Sequence, residues 1–206
     1  MGHCDRVFAN DADRKYHDNE WGIPVYNDDR RMFEHLTLEC LQCGLSWGLM
    51  LKKREIFRQC FENFEYDKIA AYGEDDVQRI FNTEGMLKSE RKVRAIINNA
   101  RCYQKIREEF GSFCNYLWSY TDGKTIVYEG HPEGKIPVSN GLSEKISRDM
   151  KKRGFRFIGP VTLYSHLQAC GLINDHASDC PSFEKINAEY PVIRLKPDHE
   201  TAMQES

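Results

Sequence analysis

No apolar run in this 206-residue chain approaches the roughly 20 residues that a membrane helix requires. The opening Met-Gly-His-Cys-Asp-Arg carries no apolar stretch of the signal-peptide kind, so a cytoplasmic location is expected. Charge of one sign is not in excess either: 29 lysines and arginines stand against 32 acids. Nucleic acid, if it is a partner, must therefore meet a local patch rather than a basic surface as a whole. The alternating pattern of half-buried strands is almost missing, and no internal repeat is visible.

What is present is helical spacing. An apolar face follows Asp28-Asp29 through Phe33, Leu36, Cys40 and Leu41. A second helix is expected from about Ser46 to Phe61, a short one near Tyr66 to Tyr72, and a brief one opened by Glu74-Asp75-Asp76. Ser89 reads as the cap of a long helix to Phe110, through Val93, Ile96, Ile97, Ala100, Tyr103 and Ile106. After a turn or two at Phe113 to Trp118 comes a loop from Thr121 to Pro137, with at most one short β-ribbon around Thr125 to Tyr128. Helices resume over Ser143 to Arg153 and Pro160 to Cys170, each followed by a glycine. The expected class is all-α, about eight helices with negligible strand. Residues 1–180 form the working domain, in one or two lobes, and 181–206 form a loosely held tail.

Eight cysteines in a chain with its own core do not call for disulfides. Cys60, Cys102, Cys114 and Cys170 sit among apolar neighbours and read as small buried hydrophobes. Cys40 and Cys43 make a C-x-x-C inside a helical pattern, where a redox pair lacks its usual strand-to-helix turn. Cys4 and His17 near the start, with His176 and Cys180 four apart, supply two thiolates and two imidazoles, a normal set for structural zinc. Their spacing is not that of a compact zinc finger, so spacing alone also leaves an incidental Cys4 and a merely hydrogen-bonded His17 open.

The most distinctive stretch is Tyr16 to Gly22, Y-H-D-N-E-W-G, which shows no helical or strand period and joins a candidate metal ligand to two aromatics and two acids. This stretch, L-E-C-L-Q-C-G-L-S-W (38–47), L-K-K-R-E (51–55), K-K-R-G-F-R-F-I-G (151–159) and Q-A-C-G-L-I-N-D-H (168–176) follow one another. In that order and spacing, over Cys4 to about Cys180, the chain resembles the 3-methyladenine DNA glycosylase I family. The resemblance implies an all-helical helix-hairpin-helix glycosylase with zinc held by Cys4, His17, His176 and Cys180.

It further implies a pocket in which Trp47 stacks on the methylated base, Glu39 accepts from its exocyclic amine, and Tyr16 and Trp21 complete the walls. Glu39 and Tyr16 are then the catalytic pair, with Trp47 and Trp21 binding substrate. The implied partner is alkylated double-stranded DNA, the product is free 3-methyladenine, and the protein is expected to act as a monomer. No lysine stands out as a Schiff-base nucleophile, so hydrolysis without strand cleavage is expected. DNA grip is assigned to the segment Gly85 to Lys92, with Lys88, Arg91 and Lys92 beside a helix N-terminus. The run Lys151 to Arg153 is a second basic candidate. Arg6 and Asp13 stand where members of the family carry aromatics. That departure keeps a second reading open, a zinc-stapled protein that binds DNA or a damaged base without cutting.

Overall fold

The computed structural model describes Cys4 and residues 10–197, so Arg6 lies outside the described residues. Within them the chain folds into ten α-helices and one two-stranded parallel sheet. The central pair is α2 (Asp29–Gln42) and α6 (Glu90–Phe110). Ten consecutive residues of α2, Met32 to Leu41, are buried, because α3 (Trp47–Cys60), α6, α7 (Phe113–Trp118) and α9 (Pro160–Ala169) all pack on it. A helix enclosed on all sides carries its polar residues inside. Glu34, His35 and Glu39 are therefore core residues.

The apolar set of α6 predicted from spacing is buried in full, against α2, α4 (Tyr66–Ala70), α5 (Glu74–Asn82) and α7. Asp29 ties two helices together: its carboxylate accepts from Phe113 N and Cys114 N, both at 2.9 Å, and so caps α7 from the start of α2. Ser89, by contrast, precedes α6 without a side-chain cap bond.

Three expectations are corrected. Tyr16 to Gly22 is not irregular throughout, because a helix α1 (Asp11–Asn19) runs into it, capped by Asn10 accepting from Ala12 N and Asp13 N. The stretch after Cys180 is not a loose tail as far as residue 195. Helix α10 (Pro181–Glu189) buries Phe183 and Ile186, and strand β2 (Val192–Leu195) follows. The expected ribbon at Thr125–Tyr128 is a strand, β1, whose partner is β2, in parallel, with Thr125 opposite Val192. Its other side is bridged by Ile173. Residues 198–206 lie outside the described residues. A further helix, α8 (Gly141–Lys152), packs on α9. No described helix is long and apolar enough to cross a membrane.

Candidate active site

Tyr16, Trp21, Glu39 and Trp47 converge on one cavity of about 530 Å³. Tyr16 comes from the last turns of α1, Trp21 from the bend after it, Glu39 from the enclosed helix α2, and Trp47 from the first position of α3. The Tyr16 and Trp47 rings lie 5.1 Å apart at 49°. Glu39 is 5% exposed, and burial pushes its carboxyl up to about 8. Burial, followed by the nearby Glu39 carboxyl, pushes the Tyr16 hydroxyl well above its usual range. The cavity is thus walled by aromatic rings, with the Glu39 carboxyl buried beside them.

Gly22 ends the turn of Trp21 with φ +78°, and a Cβ there would stand 2.8 Å from His176 Nε2, so glycine is what lets that histidine sit against the bend. His176 lies at the centre of the second constellation. The ligand atoms of Cys4, His17, His176 and Cys180 all fall within 4.8 Å of one another. His176 Nδ1 faces His17 Nε2 at 3.1 Å, and Cys180 Sγ is 3.6 and 3.8 Å from the same two nitrogens. A tetrahedron with zinc bond lengths has edges of about 3.3 Å between nitrogens and about 3.6 Å between nitrogen and sulfur. The spacing of the four donors therefore suits zinc.

The other ring nitrogens make the same case. His17 Nδ1 lies 2.8 Å from Asp18 Oδ1, and His176 Nε2 lies 3.2 Å from the Trp21 carbonyl oxygen. Both of those partners accept, so the protons sit on the outer nitrogens and two lone pairs face each other across 3.1 Å. A cation between them resolves that repulsion. A separation of four would put His176 and Cys180 on one face if they lay on a helix. They instead flank a turn closed by Cys180 N donating to Ala177 O at 2.9 Å. Trp21 joins the two constellations, stacking on His17 and meeting His176 edge-on at 4.6 Å while lining the cavity.

Glu20 in the same stretch holds Arg54 in a two-point contact at 2.7 and 2.8 Å, and Arg54 Nε donates to the buried Glu34 at 2.7 Å. Arg58 adds a second guanidinium on Glu34. The bend that carries Tyr16 and Trp21 is thereby fastened to α2 and α3.

The basic residues assigned to DNA are largely occupied. Lys92 donates to the carbonyls of Leu41 and Cys43 at 2.7 and 2.9 Å, closing the C-terminal end of α2. Lys88 donates to Phe81 O at 2.5 Å, and Arg91 lies over the Phe157 ring at 5.0 Å. Arg153 is bound to Asp149 and Glu109, which leaves Lys151 and Lys152 exposed.

The turn between α8 and α9 is arranged differently. The carbonyls of Gly154, Arg156, Phe157 and Ile158 all face inward, onto Asn98, Asn99, Cys40 and Ser147. Phe157 has φ +56°. The N–H groups of Phe157, Ile158 and Gly159 have no acceptor among the described residues. Cys40 is spent on this turn and burial raises its thiol, which argues against a redox pair with Cys43.

Asp13, which stands where the family carries an aromatic, lines the cavity; sequence reasoning missed Gln42, Ser165, Gln168 and Asp175, which line it too. Gln168 and Asp175 belong to the quoted Q-A-C-G-L-I-N-D-H, so the signal was present, though without a role attached.

Comparison with known proteins gives one answer. A sequence profile described as methyladenine glycosylase matches residues 7–184. The chain is 41% identical over 180 residues to DNA-3-methyladenine glycosylase 1 of Escherichia coli K12, covering 87% of this chain and 96% of the relative. It is 38% identical over 166 residues to the Haemophilus influenzae DNA-3-methyladenine glycosylase, covering 81% and 89%. Among solved structures, 3-methyladenine DNA glycosylase I superposes with a TM-score of 0.81 at 42% identity, covering 86% of this chain and 97% of that one. The Staphylococcus aureus enzyme studied for 3-methyladenine recognition gives 0.81 at 37% identity, covering 87% and 95%. Profile, relatives and fold agree, and the chain belongs to the methyladenine glycosylase family.

Proposed function

We propose that this protein excises 3-methyladenine from alkylated DNA by hydrolysing its N-glycosidic bond. The observation that carries the reading is the convergence of Tyr16, Trp21, Glu39 and Trp47 on one cavity in a member of this family. A base methylated at N3 is cationic in DNA and leaves as a neutral molecule, so strong acid assistance is not required. The protein has to extrude the nucleotide, hold the base and favour the cationic sugar that develops. Trp47 and Tyr16 offer aromatic faces to an electron-poor ring. Glu39, which burial holds largely protonated in the free protein, gains a cation beside it when the substrate enters, and that favours its carboxylate. The resulting negative charge favours the positive charge that develops on the sugar.

Zinc is the second part of the reading. Cys4, His17, His176 and Cys180 would hold it, and when bound it supplies a structural crosslink rather than chemistry. Trp21 gives the crosslink its functional meaning, since its ring rests on both histidines. For DNA grip, the turn at residues 154–159 is favoured over the segment at Gly85 to Lys92. Its N–H groups, without acceptors among the described residues, suit a phosphate, with Lys151 and Lys152 nearby in sequence.

The test is release of free 3-methyladenine from methylated duplex DNA, followed by chromatography, with strand integrity read on a gel. Base release with intact strands supports the monofunctional glycosylase. Tight DNA binding by a folded, zinc-loaded protein that releases nothing would leave only the binding reading.

A further inference from the structure

Asp175 is 2% exposed, and both its oxygens are engaged. Oδ1 lies 2.7 Å from His131 Nδ1, while Oδ2 lies 2.6 Å from the Tyr164 hydroxyl and 2.8 Å from Gln168 Nε2. Gln168 sits on α9 one turn after Ser165, and both line the cavity together with Asp175. A glutamine amide has a donating end and an accepting end, and its surroundings decide which faces where. Turning this amide over would set its carbonyl oxygen against the Asp175 carboxylate, lone pair to lone pair, in a buried place where such contacts are costly. The nitrogen is therefore held toward Asp175. The carbonyl oxygen is left as an acceptor with no donor among the described residues.

We infer that Gln168 is a specificity-determining residue that accepts a hydrogen bond from the exocyclic amine of the extruded base, and that Asp175 is the positioning residue that orients its amide. The inference rests on the glycosylase reading and deepens it. An adenine-type base carries an amino group at C6, which donates, and a hypoxanthine- or guanine-type base carries an oxygen there, which accepts. A fixed carbonyl oxygen welcomes the first and repels the second. An amide oxygen has no proton to donate, so it accepts at any working pH.

The test uses the full chain and two free bases, 3-methyladenine and 3-methylhypoxanthine, with binding read by tryptophan fluorescence and checked by calorimetry. Wild type is expected to prefer 3-methyladenine. Gln168→Met should cut that preference about tenfold, the worth of one net hydrogen bond. Asp175→Asn, which removes the reason for the amide to face one way, should cut it in the same direction while still binding base. A purely structural role of Asp175 would weaken both bases equally and leave the ratio unchanged, which overturns the positioning claim. An unchanged ratio in Gln168→Met overturns the specificity claim. Release of 3-methyladenine from DNA by wild type is measured alongside. If wild type releases base but neither variant moves the ratio, this inference fails and the glycosylase reading stands. If wild type releases none, that reading fails, and the free-base ratio still decides what Gln168 does.

Discussion

At the scale of single residues, Glu39 carries the sharpest consequences. Its carboxyl is held at about 8 against an ordinary value of 4.5, so the folded protein binds a proton that the unfolded chain gives up. Stability contributed by this neutral group is therefore complete below about pH 4.5 and is lost as pH rises through about 8, a change on the order of a few kcal/mol. Glu39→Gln should flatten that slope, raising the melting temperature relative to wild type at pH 9 more than at pH 5. The same substitution should lower base release by about a hundredfold if the carboxylate stabilises developing positive charge. Release by wild type should climb with pH toward 8, and release by the glutamine variant should not. Trp47→Ala tests a different link: free-base affinity should fall roughly tenfold or more through lost stacking, read by calorimetry.

Tyr16, Trp21, Glu39 and Trp47 were named through the family resemblance, and the fold brings all four to one cavity. An acid in the middle of an apolar helix face and tryptophans beside glycines stand out in a string of letters. Lys88 and Lys92 show the converse. The sequence shows their charge but not the carbonyls of Phe81, Leu41 and Cys43 that they meet.

At the scale of elements, the same contrast separates α6 from α1 and α10. Six apolar residues at three- and four-residue spacing declare α6, whereas α1 is almost wholly polar and is stabilised by its Asn10 cap and the burial of Tyr16 and His17. Helix α10 offers only Phe183 and Ile186 to the interior, too few for a period to emerge, and β2 is recognisable only once β1 is beside it. Removing residues 181–206 should consequently lower the melting temperature, not leave it unchanged as a loose tail would. Arg54 belongs to this scale as well. Arg54→Met leaves the buried Glu34 with Arg58 and a long contact from Arg30, and releases Glu20 from α3. A loss of about 3 kcal/mol is expected in denaturant unfolding, since one partner of a buried pair is removed. Arg58→Met, at a more exposed guanidinium, should cost less.

At the scale of the whole molecule, the four-residue cluster joins segments at opposite ends of the described chain. Extraction with a strong chelator should release about one zinc per chain, lower the melting temperature and shift tryptophan emission through Trp21. Cys180→Ser should reproduce the shift without chelator. Residue type singled out Cys4, His17, His176 and Cys180 as a candidate set, and a separation of four between the last two is read most simply as one helical turn. The chain reaches the same proximity by a turn at Ala177.

The separation in sequence between the halves of that cluster, 159 residues from His17 to His176, governs the order of events as the protein is made. A ribosome that has delivered α1 through α9 has still not exposed Cys180 or the strand that pairs with β1. Helices α2, α6 and α7 can assemble on the nascent chain from contacts already synthesised, and Arg54 can already fasten Glu20 to Glu34, but His17 has neither His176 nor Cys180 to meet. The wall that Trp21 builds against the His17–His176 pair is therefore among the last parts of the pocket to be completed.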